Sequence, residues 1–150
     1  MRYITIVKKL EKTHTCPFCH EVPEHILEES KHFFVLPARA QYAEHHLVIV
    51  PKRHANLLGT LTKIERTELY ALVDRRVIKL HTKHSDISLL LRDGLVKDPL
   101  INKSVNHLHF HLMPDTGVHI KSKTRSEDRV RLEDKEYAEL TKKYKTTFLS

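Results

Sequence analysis

The sequence predicts an α+β fold, in which an antiparallel β-sheet carries a long helix and a C-terminal helix packed on it. Short apolar runs that are rich in β-branched residues and bounded by proline or glycine are typical of strands. Two longer segments instead space their apolar residues along one face of a helix. The order along the chain is strand, strand, helix, strand, strand, helix. Neighbouring strands without a crossover helix favour antiparallel pairing, with the helices on one face.

The first three predicted strands are apolar runs that end at a turn signal. The runs 33–36 and 46–50 each stop at a proline, and the run 87–91 is followed by an Asp-Gly pair. Proline and Asp-Gly are both strong turn formers. Alternation of residue types over residues 3–7 predicts a further edge strand or a frayed arm.

The long helix is predicted to begin after Thr62, because Glu65 follows three residues later and completes a capping box. It is predicted to end near His84-Ser85. Its apolar residues form one helical stripe, which consists of Leu69, Leu72, Val73, Val77 and Leu80.

The C-terminal helix is predicted from the spacing of Tyr137, Leu140 and Tyr144 at i, i+3 and i+7. Acidic residues cluster at the start of this helix and lysines toward its end. That distribution of charge suits the helix macrodipole, which favours anions at the N-terminus and cations at the C-terminus.

The fourth predicted strand lies within residues 106–114, where three histidines alternate with three large apolar residues. Residues two apart in a strand point to the same face. His107, His109 and His111 would therefore line one surface, and the apolar residues would enter the core. In a helix the same histidines would be splayed around the axis, so the strand explains the pattern better.

Two interpretations of this histidine row remain open. Any half-solvated strand alternates polar and apolar residues, and 13 of the 150 residues are histidine, so neighbours also arise by chance. However, three imidazoles with pKa values near 6.5 would repel one another if they were protonated together. Such a row suits the binding of an anion or a metal better than a plain solvated surface.

Length and composition limit the possible classes. A chain of 150 residues predicts a single domain over 1–150, with a core over about 16–114 and a basic loop plus helix over 115–150. The net charge of +7 favours phosphate-bearing or polyanionic partners. No run approaches the roughly 18 apolar residues of a membrane span, and the N-terminus lacks an apolar leader segment. We therefore expect a cytoplasmic protein whose two cysteines are reduced.

The histidine segment 107–114 resembles the signature of the histidine triad (HIT) family, in which His-x-His-x-His precedes two apolar residues. The upstream segment 46–54, His-Leu-Val-Ile-Val-Pro-Lys-Arg-His, is similar to the second recurrent segment of that family. The resemblance implies an antiparallel sheet, often a homodimer, and hydrolysis or transfer at the α-phosphate of a nucleotide. Because the third triad position is histidine, the resemblance favours a hydrolase of dinucleoside polyphosphates or nucleotide phosphoramidates.

The resemblance also assigns catalytic roles. His109 would attack the α-phosphorus and form a nucleotidyl-histidine, which water then cleaves. His111 would donate to the phosphate oxygens where charge develops, and Ser104 would hydrogen-bond the phosphate or the leaving group.

Three further residues are predicted on the substrate side. His46 would orient the triad from behind. Lys103 replaces a glutamine that commonly precedes the serine, and Arg92 stands where an asparagine is expected. Both cations would add charge for a polyphosphate, although they are also compatible with ordinary exposed side chains.

Cys16 and Cys19 form a Cys-x-x-Cys pair, whose thiolates can reach one tetrahedral zinc ion together with two more N or S ligands. By resemblance to a zinc-containing subset of HIT proteins, His54 and His107 complete a structural zinc site. The pair is also compatible with redox-inactive thiols or a thioredoxin-like motif, and with the following histidine it matches the c-type haem string.

The second predicted function is a non-catalytic, zinc-stabilised module that binds nucleotides or nucleic acid. It depends on the net charge and on the basic stretch 119–131. Such a module would bind oligonucleotides with a steep salt dependence and without turnover. No run of stacking aromatic residues accompanies the positive charge, so we rank this function below the hydrolase.

Overall fold

The computed structural model describes residues 16–91, 93–94, 105–115 and 130–149, together with Thr5, Lys9 and Thr13. Five strands in these ranges form one sheet, in which every neighbouring pair is antiparallel. The order across the sheet is β1-β2-β3-β5-β4, which confirms the predicted α+β class. The strands are β1 (Glu28–Glu29), β2 (Phe33–Pro37), β3 (Leu47–Pro51), β4 (Ile87–Leu91) and β5 (Phe110–Pro114).

The two faces of the sheet bury different sets of side chains. Leu47 and Ile49 of β3 belong to the larger core cluster, which also contains apolar residues of both helices. Val48 and Val50, the intervening residues, belong to a smaller cluster on the opposite face. This alternation follows from the two-residue period of a strand. We call the first face the helix face and the second the histidine face.

The long helix, α1, spans Lys63–Leu80 and begins with the predicted capping box. The Thr62 hydroxyl accepts from the Glu65 backbone N–H at 3.2 Å, and the Glu65 carboxylate accepts from the Thr62 N–H at 2.7 Å. The prediction for the C-terminus is four residues too long, because the chain leaves the helix at Leu80 and continues as a turn over 81–83. The predicted apolar stripe packs into the larger core cluster.

The C-terminal helix, α2, spans Asp134–Leu149 and packs on the same face of the sheet. Tyr144 and Phe148 lie in the larger core cluster with the leucines of α1. The hydroxyl of Tyr137 donates to the Pro37 carbonyl at 2.7 Å. Both predicted helices therefore cover the helix face and leave the histidine face to loops and the cysteine turn.

The histidine segment enters the sheet later than predicted, because Asn106 and His107 lie in a bend and the strand is shorter. β5 begins at Phe110, so His107 and His109 precede it. The apolar side of the predicted alternation is confirmed, because Leu108, Phe110 and Leu112 all enter the larger core cluster.

Of the predicted N-terminal piece, residues 3–7, the structure describes Thr5, which is helical, so the edge-strand alternative is not found at that residue. Within the described ranges, no helix combines the length and the apolar character that crossing a bilayer requires.

Candidate functional site

His109 and His111 are neighbours on the histidine face, with ring centroids 4.8 Å apart. His109 is about 7% exposed, whereas His111 is half-buried. Phe18, which lies between the two cysteines, packs on His109 at 5.4 Å and on His107 at 5.7 Å. The three histidines therefore follow one another along one side of the segment, with an aromatic ring over the first two.

The backbone carbonyl of His107 determines which ring nitrogen of His109 carries the proton. Its Nδ1 lies 2.7 Å from the carbonyl oxygen of His107. A carbonyl can only accept, so Nδ1 must be protonated and must donate. In the neutral ring the lone pair is then on Nε2. The nitrogen that can act as a nucleophile is therefore fixed by the chain itself.

A second pair of hydrogen bonds determines the protons of His46 and His111. The Tyr42 backbone N–H donates to Nδ1 of His46 at 3.3 Å. Neutral His46 therefore carries its proton on Nε2, which lies 2.9 Å from Nδ1 of His111. His111 accepts there, so its own proton is on Nε2. A relay from a backbone amide through two imidazoles thus makes Nε2 of His111 a donor.

The predicted substrate-side residues lie in different places. His46 is completely buried behind His111, which suits an orienting position and not direct contact with a ligand. Ser104, Lys103 and Arg92 lie outside the described residues, so their predicted roles stay predictions.

The four predicted metal ligands come together at the edge of the triad. The donor atoms of Cys16, Cys19, His54 and His107 all lie within 4.8 Å of one another. Sγ of Cys16 is 3.3 Å from Nδ1 of His107, and Sγ of Cys19 is 3.3 Å from Nδ1 of His54 and 3.6 Å from Nδ1 of His107.

These spacings fit one tetrahedral metal ion. With Zn–S near 2.3 Å and Zn–N near 2.0–2.1 Å, a tetrahedral angle separates S and N by about 3.5 Å. The proton of His107 also fits, because its Nε2 lies 2.8 Å from the Pro51 carbonyl and must donate. The lone pair of His107 is consequently on Nδ1, the nitrogen that faces the cysteines.

A positive ion also suits the electrostatics of the cluster. Burial, followed by the hydrogen bond and the charge of Cys16, raises the pKa of Cys19 to about 11. Two thiolates side by side are unfavourable without a cation, and a divalent metal would remove this penalty.

The exit from β3, next to His54, is hydrogen-bonded to the start of α1. Arg53 donates to both carboxylate oxygens of Glu65, at 2.7 Å and 2.9 Å, and also to the Thr60 carbonyl at 2.7 Å. The hydrogen bond from Arg53 lowers the pKa of Glu65 to about 2. The helix cap of α1 and the loop that carries His54 are thus one ionic network.

The chain matches the family model of the HIT domain over residues 20–118. It belongs to the HIT domain family. Among curated HIT relatives, the nitrilase and fragile histidine triad fusion protein NitFhit of Caenorhabditis elegans is 29% identical over 94 residues, which is 61% of this chain. The matched part of this chain spans 20% of the length of that relative.

Solved structures share the HIT fold at low sequence identity. One is a Zn-bound histidine triad family protein from Mycobacterium smegmatis, with a TM-score of 0.57, 16% identity, and coverage of 96% of this chain and 91% of that one. Another is the diadenosine triphosphate hydrolase of Plasmodium falciparum in complex with Cyclomarin A, with a TM-score of 0.61, 17% identity and full coverage of both chains.

Several parts of the site have no signature in the sequence. The amide of Tyr42 and the carbonyl of Pro51 are backbone groups, which every residue type except proline (for the amide) can supply. Phe18 is different, because it lies between the two cysteines in sequence. If the cysteines lie beside the triad, the ring of Phe18 must lie near it as well.

Proposed function

We propose that this HIT protein is a nucleotide hydrolase, which cleaves at the α-phosphate of a dinucleoside polyphosphate or a nucleotide phosphoramidate. The observation that carries the proposal is the pair of imidazoles at the start of β5. His109 has its lone pair on Nε2, and the adjacent His111 has its proton on Nε2. A nucleophile and a hydrogen-bond donor side by side are what attack at a phosphate requires.

In the first step, Nε2 of His109 would attack the α-phosphorus and form a P–N bond. The bond from phosphorus to the leaving oxygen or nitrogen breaks, and the leaving group takes the electron pair; a leaving nitrogen also takes up a proton from solvent and departs as an amine. The intermediate is a nucleotidyl-imidazolium, because His109 keeps its Nδ1 proton. The His107 carbonyl, which accepts that proton's hydrogen bond at 2.7 Å, stabilises the positive ring.

In the second step, water attacks phosphorus and the P–N bond breaks, so His109 returns to the neutral form. One proton of the water is released to solvent, and the product is a nucleoside monophosphate. In both steps, charge develops on the phosphate oxygens, and His111 would donate to them from Nε2. This is electrostatic stabilisation at the point where the charge appears.

The zinc ion would be structural. Cys16, Cys19, His54 and His107 fill all four positions of a tetrahedral site, which leaves no open position for substrate. When bound, the ion would tie the cysteine turn to the first triad histidine. The Zn-bound Mycobacterium smegmatis protein, which shares the fold, supports this proposal. A homodimer and a cytoplasmic location stay predictions.

The test is release of nucleoside monophosphate from diadenosine tri- and tetraphosphate and from an adenosine phosphoramidate. We expect turnover by the wild type and a loss of about 10³-fold or more in His109→Ala, as for other nucleophile deletions. His81→Ala, which removes an exposed histidine at the end of α1, is the matched control and should retain activity. A His109→Ala protein as active as wild type would remove the nucleophile from the proposal.

Mass spectrometry of the quenched wild type would show the nucleotide mass added to the peptide that contains His109. Elemental analysis should find about one zinc per chain, as a four-ligand site predicts. Cys16→Ser should lose most of it. Full zinc content in that variant would place the metal elsewhere.

A further inference from the structure

The loop before β3 connects the triad to the C-terminal helix. This loop, residues 41–46, supplies two parts of the relay described above, the Tyr42 amide and the His46 ring. On the helix face, both of its ends meet one hydroxyl group. Tyr144 accepts from the His45 backbone N–H at 2.6 Å and donates to the Gln41 carboxamide oxygen at 3.0 Å.

The His45 side chain is held separately, by a second chain of hydrogen bonds. Nδ1 of His45 lies 2.7 Å from Nε2 of His84, and Nδ1 of His84 lies 2.8 Å from the Asp115 carboxylate. The hydrogen bond from His84 is the main cause that lowers the pKa of Asp115, so this carboxylate accepts. In the neutral ring, Nε2 of His84 then accepts from Nδ1 of His45.

The backbone indicates that this arrangement is enforced. His45 and Asp115, with φ of 64° and 41°, are the two non-glycine residues with positive φ in the described part of the chain. Both belong to this one hydrogen-bonded chain. Such conformations persist only where surrounding contacts over-determine them, and the contacts here come from the turns that follow α1 and β5 and from Tyr144 within α2.

We propose that Tyr144 and the His84–Asp115 pair are positioning residues for the hydrolytic site, which act by holding the 41–46 loop. If the loop shifts, the Tyr42 amide no longer donates to Nδ1 of His46. His46 then loses its preference for the Nε2 proton, and His111 loses its defined donor at Nε2. This inference rests on the proposed function for its kinetic consequence, but the proton positions can be measured without substrate.

Tyr144→Phe is the central variant, because it keeps the buried ring and removes only the hydroxyl. Tyr137→Phe is the matched control. Tyr137 lies on the same helix and is equally buried. Its hydroxyl is hydrogen-bonded as well, but its partner is the Pro37 carbonyl and not the loop. We expect kcat to fall by about 10-fold in Tyr144→Phe, in the range of small misplacements of catalytic groups, with little change in KM. Tyr137→Phe should keep the wild-type kcat.

Imidazole ¹⁵N spectra near pH 7.5 provide the readout that a merely structural role would not change. In the wild type and in Tyr137→Phe, His46 should show a single tautomer with Nε2 protonated. In Tyr144→Phe its two nitrogen shifts should move toward each other as the tautomers mix. If the His46 tautomer and kcat are both unchanged in a folded Tyr144→Phe protein, the proposal is overturned.

His84 gives an independent test, should Tyr144→Phe fail to fold. His84→Ala removes the acceptor for His45 and should mix the His46 tautomers. His84→Gln retains an acceptor oxygen near the position of Nε2 and should restore the wild-type spectrum and rate. Identical His46 spectra in wild type and His84→Ala would contradict the proposal. A wild type that hydrolyses no nucleotide, yet shows these tautomer changes, would overturn the hydrolase proposal and support the positioning role.

Discussion

At the scale of single residues, hydrogen bonds to backbone groups determine which ring nitrogen of each site histidine carries the proton. Four histidines, His46, His107, His109 and His111, have their protons assigned by a backbone amide, by two carbonyls and by one another. Each imidazole has two nitrogens that differ only in which carries the proton. In the proposed hydrolase, the same residue type would therefore supply a metal ligand, a nucleophile, a donor and an orienting group within one segment and at the start of the neighbouring strand.

The role of His46 can be tested by substitution. His46→Leu should lower kcat by about 10- to 100-fold, because Nδ1 of His111 loses its donor and the proton of His111 is no longer directed to Nε2. His46→Gln places an amide N–H near the position of Nε2 and should recover much of the loss. Initial rates at saturating substrate measure this. Equal rates for the leucine and glutamine variants would mean that the hydrogen bond from residue 46 to His111 does not determine kcat.

At the scale of secondary-structure elements, the sequence predicted most where local signals are complete. The capping box of Thr62 and Glu65 located the start of α1, and the apolar runs located β2, β3 and β4. The end of α1 was predicted too late, because no glycine or proline comes directly after Leu80 to mark the end of the helix. The histidine strand was predicted too early, because alternation alone does not show where ladder hydrogen bonds begin.

The capping box also makes a quantitative prediction. Thr62→Ala should lower the free energy of unfolding by about 1 kcal/mol, since the Glu65 backbone N–H loses its acceptor. Thr67→Ala is the control, because Thr67 is exposed within α1 and its hydroxyl donates to the Lys63 carbonyl of the same helix. Alanine favours a helix interior, so that variant should be neutral or slightly stabilised. Urea unfolding followed by circular dichroism measures both, and a neutral Thr62→Ala would contradict the cap's contribution.

The contact between the 41–46 loop and the helix ends should make stability depend on pH. Burial lowers the pKa of His45; Glu44 opposes this, and His84, Lys143 and Lys83 reinforce it. The folded protein therefore keeps His45 neutral, whereas the unfolded chain takes up a proton below the usual pKa near 6.5. This contribution to stability is fully present above pH 6.5 and is lost as the pH falls through the lower, folded-state value.

His45→Asn removes this titration, tolerates a positive φ and retains an N–H donor toward His84. Its unfolding free energy should fall less steeply than that of the wild type between pH 6.5 and 5, by at most about 1.4 kcal/mol per pH unit. His45→Ala should share the shallower slope but be less stable at every pH. If urea unfolding gives His45→Asn the wild-type slope, His45 is not the titrating group.

At the scale of the whole molecule, the sequence predicted which residues meet but not how they are held. The resemblance placed Cys16, Cys19, His54 and His107 at one site, and the fold brings them together. The two hydrogen bonds of the Tyr144 hydroxyl to the 41–46 loop could not be predicted, because the spacing of Tyr144 on α2 indicates only an apolar stripe. Its hydroxyl finds partners about a hundred residues away in sequence, and no local pattern encodes such a contact.

The proposed zinc ion would link distant parts of the chain, since 91 residues separate Cys16 from His107. Binding to the folded state alone stabilises that state, so a chelator should lower the melting temperature of the wild type. Cys16→Ser should melt at the lower temperature without chelator and respond little to it. A chelator that shifts both proteins equally would indicate a site elsewhere.

This stabilisation should also increase with pH. The pKa of Cys19, which is about 11 without a cation, keeps the thiol protonated at neutral pH. Zinc binds the thiolate, so each proton displaced makes the apparent affinity rise about tenfold per pH unit. The difference in unfolding free energy between zinc-loaded and chelated protein should therefore grow by at least about 1.4 kcal/mol from pH 6.5 to 7.5 at fixed free zinc. A difference that stays constant over this range would mean that Cys19 gives up no proton on binding, which is incompatible with a thiolate ligand.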